Sequence, residues 1–312
     1  IAISMLINPK KILIIKHGSL GDLVFSLHAM GSIRKHYINS ELYLLTETSF
    51  VNFLKKSKYF DKILVDNREG LLKTLWIIRH LLKENFDLVI DLQNSKRSNL
   101  YNFFLKYFGK TIVNGNKFNS HYRYHIKPKG EESPKNGLIN QIKLLGIKPI
   151  EDNYQWLLTD IDIHKIKNSV LIIPSTSKSG IHKKWPLDNY INLCKKIEKL
   201  GNSICLIGTK IDRKTTSRIA SSCKNIIDLT DKSPPEVIYS IAVNCKLIIT
   251  NDTGPGHIAA LSKNKIIWIA QRNTTSKINI ENNKYNELIL SDQIEQISVD
   301  NVFQKVENIL IK

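Results

Sequence analysis

The stretch Ile248-Ile-Thr-Asn-Asp-Thr-Gly-Pro-Gly-His257 connects an apolar run to a helical pattern, and this connection decides the fold. Leu247-Ile-Ile249 has the short, apolar character of a buried parallel strand, and a helical pattern continues from Ile258. The residues between the two are therefore predicted to form a strand-to-helix turn. We expect Gly254 and Gly256 to allow backbone angles and close approaches that a Cβ atom would forbid.

Two interpretations of this turn are open on the motif alone. Asp252 and Thr253 can cap the helix that follows, which would make this an ordinary capped turn. The free backbone N–H groups at the start of the helix, together with its dipole, can instead bind an anion such as a phosphate. The rest of the chain is needed to choose between the two.

The same rhythm of a strand followed by a helix runs through the 312 residues. Apolar runs such as 11–16 and 170–173 each lead into a polar turn and then a helical pattern, which is typical of a parallel, doubly wound sheet. A chain of this length accommodates two domains. We therefore predict an α/β fold of two Rossmann-like doubly wound domains facing across a cleft, with residues 1–160 in the first and 161–312 in the second. The C-terminal helical pattern is predicted to pack back on one of them, and the first is a candidate.

The chain is strongly basic, with 46 Lys and Arg against 28 Asp and Glu and a net charge of +18. Such a surplus suggests an anionic partner, which could be a nucleic acid, a membrane surface or an acidic substrate. An AT-rich genome, which enriches Lys, Ile and Asn throughout a chain, is an alternative source of the same charge. Because no nucleic-acid-binding motif is present, we expect no nucleic acid partner.

Cysteine spacing and hydropathy indicate the compartment. The four cysteines are widely separated and show no metal-binding spacing, so we expect a reducing, cytoplasmic compartment.

Asp160-Ile-Asp162 matches a short metal-binding motif of some glycosyltransferases, but the motif does not follow the end of a predicted strand. We therefore expect no metal and no cofactor. Apolar runs are too short or too interrupted by charge to cross a bilayer, so membrane contact is expected to be peripheral.

A second polar turn, His17-Gly-Ser-Leu-Gly-Asp22, follows the first predicted strand and opens a helix. In an open parallel sheet, ligands bind at the carboxyl ends of the strands, which is where this turn is expected to lie. Asp22 falls in the first turn of the helix, where the helix dipole favours a carboxylate. Its alternative role is that of a general base directed toward a substrate, and position alone leaves both roles open.

Further candidates are basic or hydroxyl side chains in other turns. Lys96 and Arg97 open a neighbouring helix, and residues 114–130 carry Arg123 and Lys127 among aromatic side chains, with almost no acid. That segment is either a solvated loop or a grip on an anionic, sugar-containing acceptor. In the second half, Lys183 would place a point charge near a phosphate. The hydroxyl donors of the same turn are Ser175, Thr176 and Ser177.

Four segments in register, residues 11–30, 87–97, 174–190 and 250–260, resemble the bacterial ADP-heptose:lipopolysaccharide heptosyltransferases, glycosyltransferase family 9. Asn251-Asp-Thr-Gly-Pro-Gly-His257 resembles the family's NDTGxxH turn. Ser19-Leu-Gly-Asp22 resembles its SxGD segment, and Lys183-Lys-Trp-Pro186 resembles its KxWP segment. The likeness covers nearly the whole chain, and it implies the two-domain GT-B fold.

The resemblance also implies roles for individual residues. Asp22 matches the proposed catalytic base, and Lys183 matches the lysine that contacts the donor phosphate. The other donor-binding positions that it implies are Asp252, Thr253, Gly254, His257, Ser175, Thr176, Ser177 and Asp212. Two positions depart from the family pattern, since His28 stands where proline is common and Asp212 stands where a glutamate often contacts the ribose.

The expected function is that of an inverting, metal-independent glycosyltransferase that moves heptose from ADP-heptose to an anionic lipopolysaccharide inner core of the Kdo–lipid A type. We expect it in the cytoplasm, peripheral to the inner face of the cytoplasmic membrane. The acceptor-binding candidates are Lys96, Arg97, Arg123 and Lys127. The alternatives are a transferase of the same fold that uses another nucleotide sugar, and a non-catalytic protein that binds nucleotide sugars.

Overall fold

The structure is a computed structural model that describes residues 8–162, 164–176, 180, 183–272 and 278–311. The chain divides into two compact units, Ile1–Asn153 and Tyr154–Lys312. In the described residues, each unit contains a six-stranded sheet whose paired strands are all parallel. The predicted α/β fold with two Rossmann-like sheets is confirmed.

The first unit alternates strands and helices along the chain. Its strands are β1 (Lys11–Ile15), β2 (Glu41–Thr46), β3 (Lys62–Val65), β4 (Leu88–Asp91), β5 (Ile112–Gly115) and β6 (Tyr122–Arg123). Its helices are α1 (Leu20–His36), α2 (Thr48–Lys55), α3 (Leu71–Lys83), α4 (Lys96–Phe108) and α5 (Pro134–Lys143). The strand order is β3-β2-β1-β4-β5-β6. Because β1 and β4 lie at the centre with a helix layer over them, their apolar side chains are completely buried.

The second unit repeats this plan. Its strands are β7 (Val170–Ile173), β8 (Ile204–Leu206), β9 (Ile226–Asp228), β10 (Leu247–Asn251), β11 (Ile266–Gln271) and β12 (Asn286–Ser291). Its helices are α6 (Leu187–Lys199), α7 (Arg213–Ala220), α8 (Pro235–Asn244), α9 (Gly254–Ala260) and α10 (Val299–Leu310). The strand order is β12-β11-β10-β7-β8-β9. Val302 and Val306 of α10 join the core of this unit, where the indole N–H of Trp185 donates to the carbonyl of Ile297 at 2.8 Å.

Each sheet has a point at which the direction of winding reverses. In the first unit it lies between β1 and β4, and in the second it lies between β7 and β10. The carboxyl ends of the two strands at such a point leave a crevice, which is the usual ligand site in open α/β sheets. The turns that follow β1 and β10 are the two turns that the sequence singled out.

Two details differ from the sequence-based expectation. Residues 114–130 are not a continuous loop, because β5 extends to Gly115 and Tyr122–Arg123 adds a sixth strand to the sheet. The unit boundary follows Asn153 rather than residue 160. The physical reason is that Thr159 bonds to α8, with its N–H donating to Ser240 Oγ at 2.7 Å and its hydroxyl donating to the Glu236 carbonyl at 2.8 Å.

The described helices fall short of what a membrane span requires. None of them has the length and apolar character that crossing a bilayer demands.

Candidate functional site

Asp22 occupies the first turn of α1, directly after the carboxyl end of β1. The backbone N–H and the hydroxyl of Ser19 donate to Asp22 Oδ2 at 3.2 and 3.0 Å, so the carboxylate does cap the start of the helix. The side chain is nevertheless exposed. Capping and catalysis are therefore compatible at this position, because the cap holds the carboxylate while it stays open to solvent.

Lys16, which the sequence analysis read only as the end of a strand, lies buried beside this turn. Its side chain is 5% exposed, and its ammonium donates to the carbonyl of Leu92 at 3.2 Å. Burial lowers the pKa of Lys16, while the negative charges of Asp22 and Asp91 act in the opposite direction. The amino group of Lys16 and the Asp22 carboxylate therefore interact electrostatically. The signal in the sequence was a lysine directly after four fully apolar residues.

Asp66 is the centre of a buried cluster of polar side chains at the same edge of the sheet. The sequence did not indicate this role. Asp66 is 1% exposed and accepts hydrogen bonds from His17 Nε2 at 2.9 Å and from the Tyr101 hydroxyl at 2.6 Å. Both nitrogens of the Arg97 fork also donate to it, at 3.1 and 2.9 Å. Burial by itself raises the pKa of Asp66, but the hydrogen bonds from His17, Arg97 and Tyr101 outweigh burial and hold the pKa well below its usual range.

The four predicted acceptor residues all lie in the first unit, at or after the carboxyl ends of strands. Arg97 is committed to Asp66 and keeps 22% of its side chain exposed. Lys96 is exposed at the start of α4, and Arg123 is exposed on β6, where its Nε donates to the Asn116 carbonyl at 3.3 Å. Lys127 lies 3.9 Å from Glu132 Oε1. The shared sheet edge therefore brings Lys96, Arg97 and Arg123 to one side of the unit, while Lys127 pairs within the following loop.

Asp252 is the centre of the corresponding cluster in the second unit. Its Oδ2 lies 3.2 Å from Lys183 Nζ, and its Oδ1 lies 3.0 Å from His257 Nε2, with 4% of the side chain exposed. Burial raises the pKa of Asp252, but the bonds and charges of His257 and Lys183 outweigh burial and lower it to about 2. Asp252 is therefore a buried anion that holds the ammonium of Lys183 in place, with 27% of that lysine side chain exposed.

The expected capping of α9 takes a different form from the prediction. The residue at the N-cap is Thr253, and its side chain makes no capping hydrogen bond. The Asp252 carboxylate bonds to Lys183 and His257. The turn is thus organised by an ion-paired carboxylate, which a sequence pattern cannot distinguish from a cap.

Gly256 is required by close packing rather than by an unusual backbone angle. Neither Gly254 nor Gly256 has a positive φ, which corrects part of the expectation. A Cβ atom on Gly256 would lie 2.8 Å from Thr250 Oγ1 and 3.0 Å from the Trp268 ring. The helix therefore approaches the sheet as closely as a glycine allows. The His257 ring packs against the same tryptophan, with ring centroids 5.1 Å apart.

Replacing Gly256 by Ala is expected to destabilise the second unit by about 1–3 kcal/mol, because the added methyl must displace packed atoms. Denaturant unfolding measures the change in the free energy of unfolding. Gly137→Ala serves as the control, since Gly137 is helical and its Cβ would meet the end of the Glu132 side chain at 3.2 Å and the Tyr124 ring at an ordinary contact distance of 3.9 Å. Equal stability of the two variants would contradict the packing argument.

Of four other predicted donor residues, the three that the structure describes occupy neighbouring turns of the second sheet. Ser175 follows β7, which pairs with β10, and it is 6% exposed. Within the described residues its hydroxyl has no hydrogen-bond partner, so a polar atom at this edge is left for a ligand or water. Thr176 is half-buried beside it, and Ser177 lies outside the described residues. Asp212 accepts from the N–H and hydroxyl of Thr209, both at 3.0 Å, so that carboxylate caps the next turn.

The ion pair of Asp252 makes a pH-dependent contribution to stability. Its pKa in the folded chain, about 2, lies below the ordinary value of 3.8, so the stabilisation is present above pH 3.8 and is lost as the pH falls through 2. Between about pH 5 and pH 2, the wild-type chain should therefore lose about 2 kcal/mol more unfolding free energy than Asp252→Asn. Urea unfolding at stepped pH measures this difference. Equal losses in both chains would show that the pairing does not stabilise the fold.

Within the part of the chain that the structure describes, no three His, Cys, Asp or Glu side chains are grouped so that they could hold a metal ion.

Comparisons with known proteins give the site a family context. Residues 148–296 match the family model described as glycosyltransferase family 9 (heptosyltransferase). Lipopolysaccharide heptosyltransferase 1 of Campylobacter coli is 24% identical over 276 residues, which cover 80% of this chain and 80% of that protein. Lipopolysaccharide core heptosyltransferase OpsX of Haemophilus influenzae is 18% identical over 276 residues, which cover 84% and 79%. The structure of E. coli heptosyltransferase WaaC with ADP-2-deoxy-2-fluoro heptose has a TM-score of 0.77 at 16% identity and covers 96% of this chain and 99% of that one.

These likenesses carry different weights. At 16% identity, the structural match shows the fold, which is of the GT-B type. The family match spans Ser175, Lys183, Asp212 and the turn at Asp252 but ends well short of Asp22 on the amino-terminal side. The residues predicted to bind the donor thus lie inside the matched region, whereas the residues predicted to bind the acceptor lie outside it, in the first unit.

Proposed function

Because residues 148–296 match the model of glycosyltransferase family 9, we propose that this chain transfers heptose from ADP-heptose to an anionic lipopolysaccharide inner core of the Kdo–lipid A type. The names of the two bacterial relatives, both lipopolysaccharide heptosyltransferases, support the acceptor class. The heptose analogue in the E. coli structure supports the donor class. The second unit binds the donor in this proposal, and the first unit binds the acceptor.

The observation that carries the proposal is the Lys183–Asp252–His257 cluster at the switch point of the second sheet. Asp252 compensates part of the Lys183 charge and fixes the ammonium 3.2 Å away. A diphosphate that approaches this edge meets a pre-positioned cation and the hydroxyl of Ser175, to which no described residue is hydrogen-bonded. Since little reorganisation is needed, these groups can stabilise the charge that develops on the leaving ADP.

The reaction proposed is a single displacement. The acceptor hydroxyl oxygen forms a bond to the anomeric carbon of heptose, and the bond from that carbon to the phosphate oxygen breaks with its electrons leaving on ADP. Asp22 takes the proton of the attacking hydroxyl, and the configuration at the anomeric carbon inverts. The buried side chain of Lys16 interacts electrostatically with Asp22, so the proposed base lies beside a basic group of its own unit.

Metal independence follows from the same assignment of charges. If Lys183, backbone N–H groups and hydroxyl donors neutralise the leaving diphosphate, no divalent cation is required. Transfer should then proceed at an unchanged rate in EDTA, and restoration of a lost rate by Mg²⁺ or Mn²⁺ would refute this part of the proposal.

The decisive experiment incubates the purified chain with ADP-heptose and Kdo–lipid A. We expect ADP release together with a product heavier by one heptose in mass spectrometry, and NMR of the product should show the inverted anomeric configuration. Failure to release ADP with any inner-core acceptor would overturn the proposal. Retention of configuration would reject the single displacement but leave heptosyl transfer intact.

A second candidate is a transferase of the same fold that uses a different nucleotide sugar. The position of Asp212 favours this candidate. Its carboxylate accepts hydrogen bonds from Thr209, although the resemblance places a ribose contact at this position. Thermal shifts with ADP-, UDP- and GDP-sugars separate the two candidates, since the true donor stabilises the chain by mass action. A shift with ADP-heptose but no turnover would instead favour a non-catalytic binding protein.

We further propose that the protein works peripherally at the inner face of the cytoplasmic membrane. A lipid A acceptor is anchored in that leaflet, and the net charge of +18 favours an anionic surface. Fractionation of cells that express the chain should place it with membranes at low salt and release it at high salt.

A further inference from the structure

Helices α3 and α4 of the first unit expose an unusual amount of apolar surface. We call the exposed faces of these two helices the α3–α4 surface. On α3, Leu72 is 84% exposed and Trp76 is 62% exposed, and on α4, Tyr107 is 58% exposed and Phe108 is 67% exposed. The other exposed apolar side chains of this surface are Leu71, Leu75, Leu100 and Phe103. Single exposed hydrophobes are ordinary, but a continuous group of this kind marks an interaction site.

The apolar side chains of the two helices form one surface because the helices pack side by side. Their inner faces share the core of the unit, in which Ile77 and Leu81 of α3 meet Tyr101 and Leu105 of α4. Between them lies a groove of about 530 Å³. Its lining combines apolar and basic side chains, namely Leu75, Ile78, Arg79, Leu82, Lys83, Phe104 and Phe108.

The charge of this surface is positive. Neither helix contains an acidic residue, and Lys73, Arg79 and Lys83 of α3 are exposed. Arg97 of α4 does not add to the positive charge of this surface, because its guanidinium is bound to Asp66. The nearest acid in the chain after α3 is Glu84, which is paired with Lys11. Basic groups of α3 therefore flank the apolar centre, and the acids nearest to this helix in sequence, Glu69 and Glu84, lie outside its two ends.

We propose that the α3–α4 surface docks on an anionic phospholipid leaflet. The apolar side chains enter the boundary between headgroups and acyl chains, Trp76 and Tyr107 lie at the level of the headgroups, and Arg79 and Lys83 contact lipid phosphates. A second copy of this chain is a poorer occupant. A two-fold contact would bring the same basic residues of both copies together and separate them from any acid.

The direction of the helices connects this surface with the proposed reaction. Helix α3 begins after the carboxyl end of β3, so Leu71 and Leu72 lie toward the same sheet edge as Asp22. A docked surface would thus hold that edge near the leaflet from which a lipid-anchored acceptor projects. The inference deepens the membrane contact proposed above and depends on it for its role, but vesicle binding can be measured without any sugar transfer.

The test is flotation of the full chain with vesicles of phosphatidylcholine alone or with about a third of phosphatidylglycerol. We expect binding to the anionic vesicles to be at least about tenfold stronger than to the neutral ones. Arg79→Glu/Lys83→Glu and Leu72→Ser/Trp76→Ser should each lower this binding about tenfold or more. The matched controls are Arg218→Glu/Lys224→Glu for charge and Ile211→Ser for apolar exposure, all at exposed positions of the second unit, and they should bind like wild type.

Trp76 supplies a readout that is specific to this surface. Of the other tryptophans, Trp185 and Trp268 are buried at 0% and 1% exposure, and Trp156 is half-buried. Lipids with brominated chains should therefore quench wild-type fluorescence on binding, and Trp76→Phe should bind equally but lose most of the quenching. Binding without quenching would place the contact elsewhere and overturn the proposal.

The remaining outcomes distinguish this inference from the proposed function. Loss of self-association in the Leu72→Ser/Trp76→Ser variant, with unchanged vesicle binding, would assign the surface to a second copy. Absence of vesicle binding combined with normal transfer to a delipidated acceptor would reject the docking surface alone. Vesicle binding by this surface without any transfer would reject the proposed reaction alone.

Discussion

Replacing Asp22 by Asn is expected to lower the turnover number by about 10²–10⁴-fold, because the variant can no longer accept the proton of the attacking hydroxyl. The amide oxygen can still accept from Ser19, so the start of α1 should keep its cap. ADP affinity should be unchanged, since the residues proposed to bind the donor lie in the second unit. Steady-state kinetics with ADP-heptose and Kdo–lipid A measure the loss, and calorimetric titration with ADP measures the binding.

Ser19→Ala is the matched control for this prediction. It removes the hydroxyl that donates to Asp22 at 3.0 Å but leaves the carboxylate and the backbone bond at 3.2 Å. We expect a loss of stability of about 0.5–2 kcal/mol and a much smaller loss of turnover. If both variants lose turnover and stability to a similar extent, Asp22 acts as a helix cap and not as the base.

Replacing Lys183 by Ala is expected to weaken donor affinity by about 10–100-fold, which corresponds to one charged hydrogen bond to phosphate. The substitution also removes the cation 3.2 Å from Asp252, so the remaining carboxylate would repel the diphosphate. Titration with ADP-heptose and with free ADP measures the change in affinity. Both ligands should be affected to a similar degree because they share the diphosphate.

Lys184→Ala provides a control at the adjacent position. The ammonium of Lys184 donates to Thr215 Oγ1 at 2.7 Å and is therefore committed to α7. Its removal should leave donor affinity within about threefold of wild type, which is the effect of a surface contact worth well under 1 kcal/mol. Equal losses in the two variants would mean that the overall charge of this segment, rather than the position held by Asp252, attracts the donor.

The elements of the fold were readable from sequence because their signals are local. Short apolar runs predicted the buried strands β1, β7 and β10. All the apolar residues of these three strands are buried, and their polar residues, Lys11, Thr250 and Asn251, stand at strand ends. The glycine-bearing turns after β1 and β10 were placed correctly at the carboxyl ends of strands. What local signals missed is β6, because two residues that pair with Asn114 and Gly115 carry no periodicity of their own.

The clusters around the site were not readable, because they join residues that are far apart in the chain. Asp66 meets His17, Arg97 and Tyr101 across sequence separations of 49, 31 and 35 residues. Asp252 meets Lys183 across 69 residues. A carboxylate that caps a helix and one that holds a distant lysine look the same in a sequence, and only the packing of the strands brings the partner within hydrogen-bond distance.

By itself, the sequence determined the two α/β units, the turn from Asn251 to His257 and the position of Asp22, because strand and helix periodicity and glycine spacing act over a few residues. Only the tertiary structure decided which charges are paired, which groups are buried and which are exposed. Asp252 is a buried anion that positions Lys183, and Trp76 lies on the surface, because pairing and burial depend on how distant elements pack around each side chain.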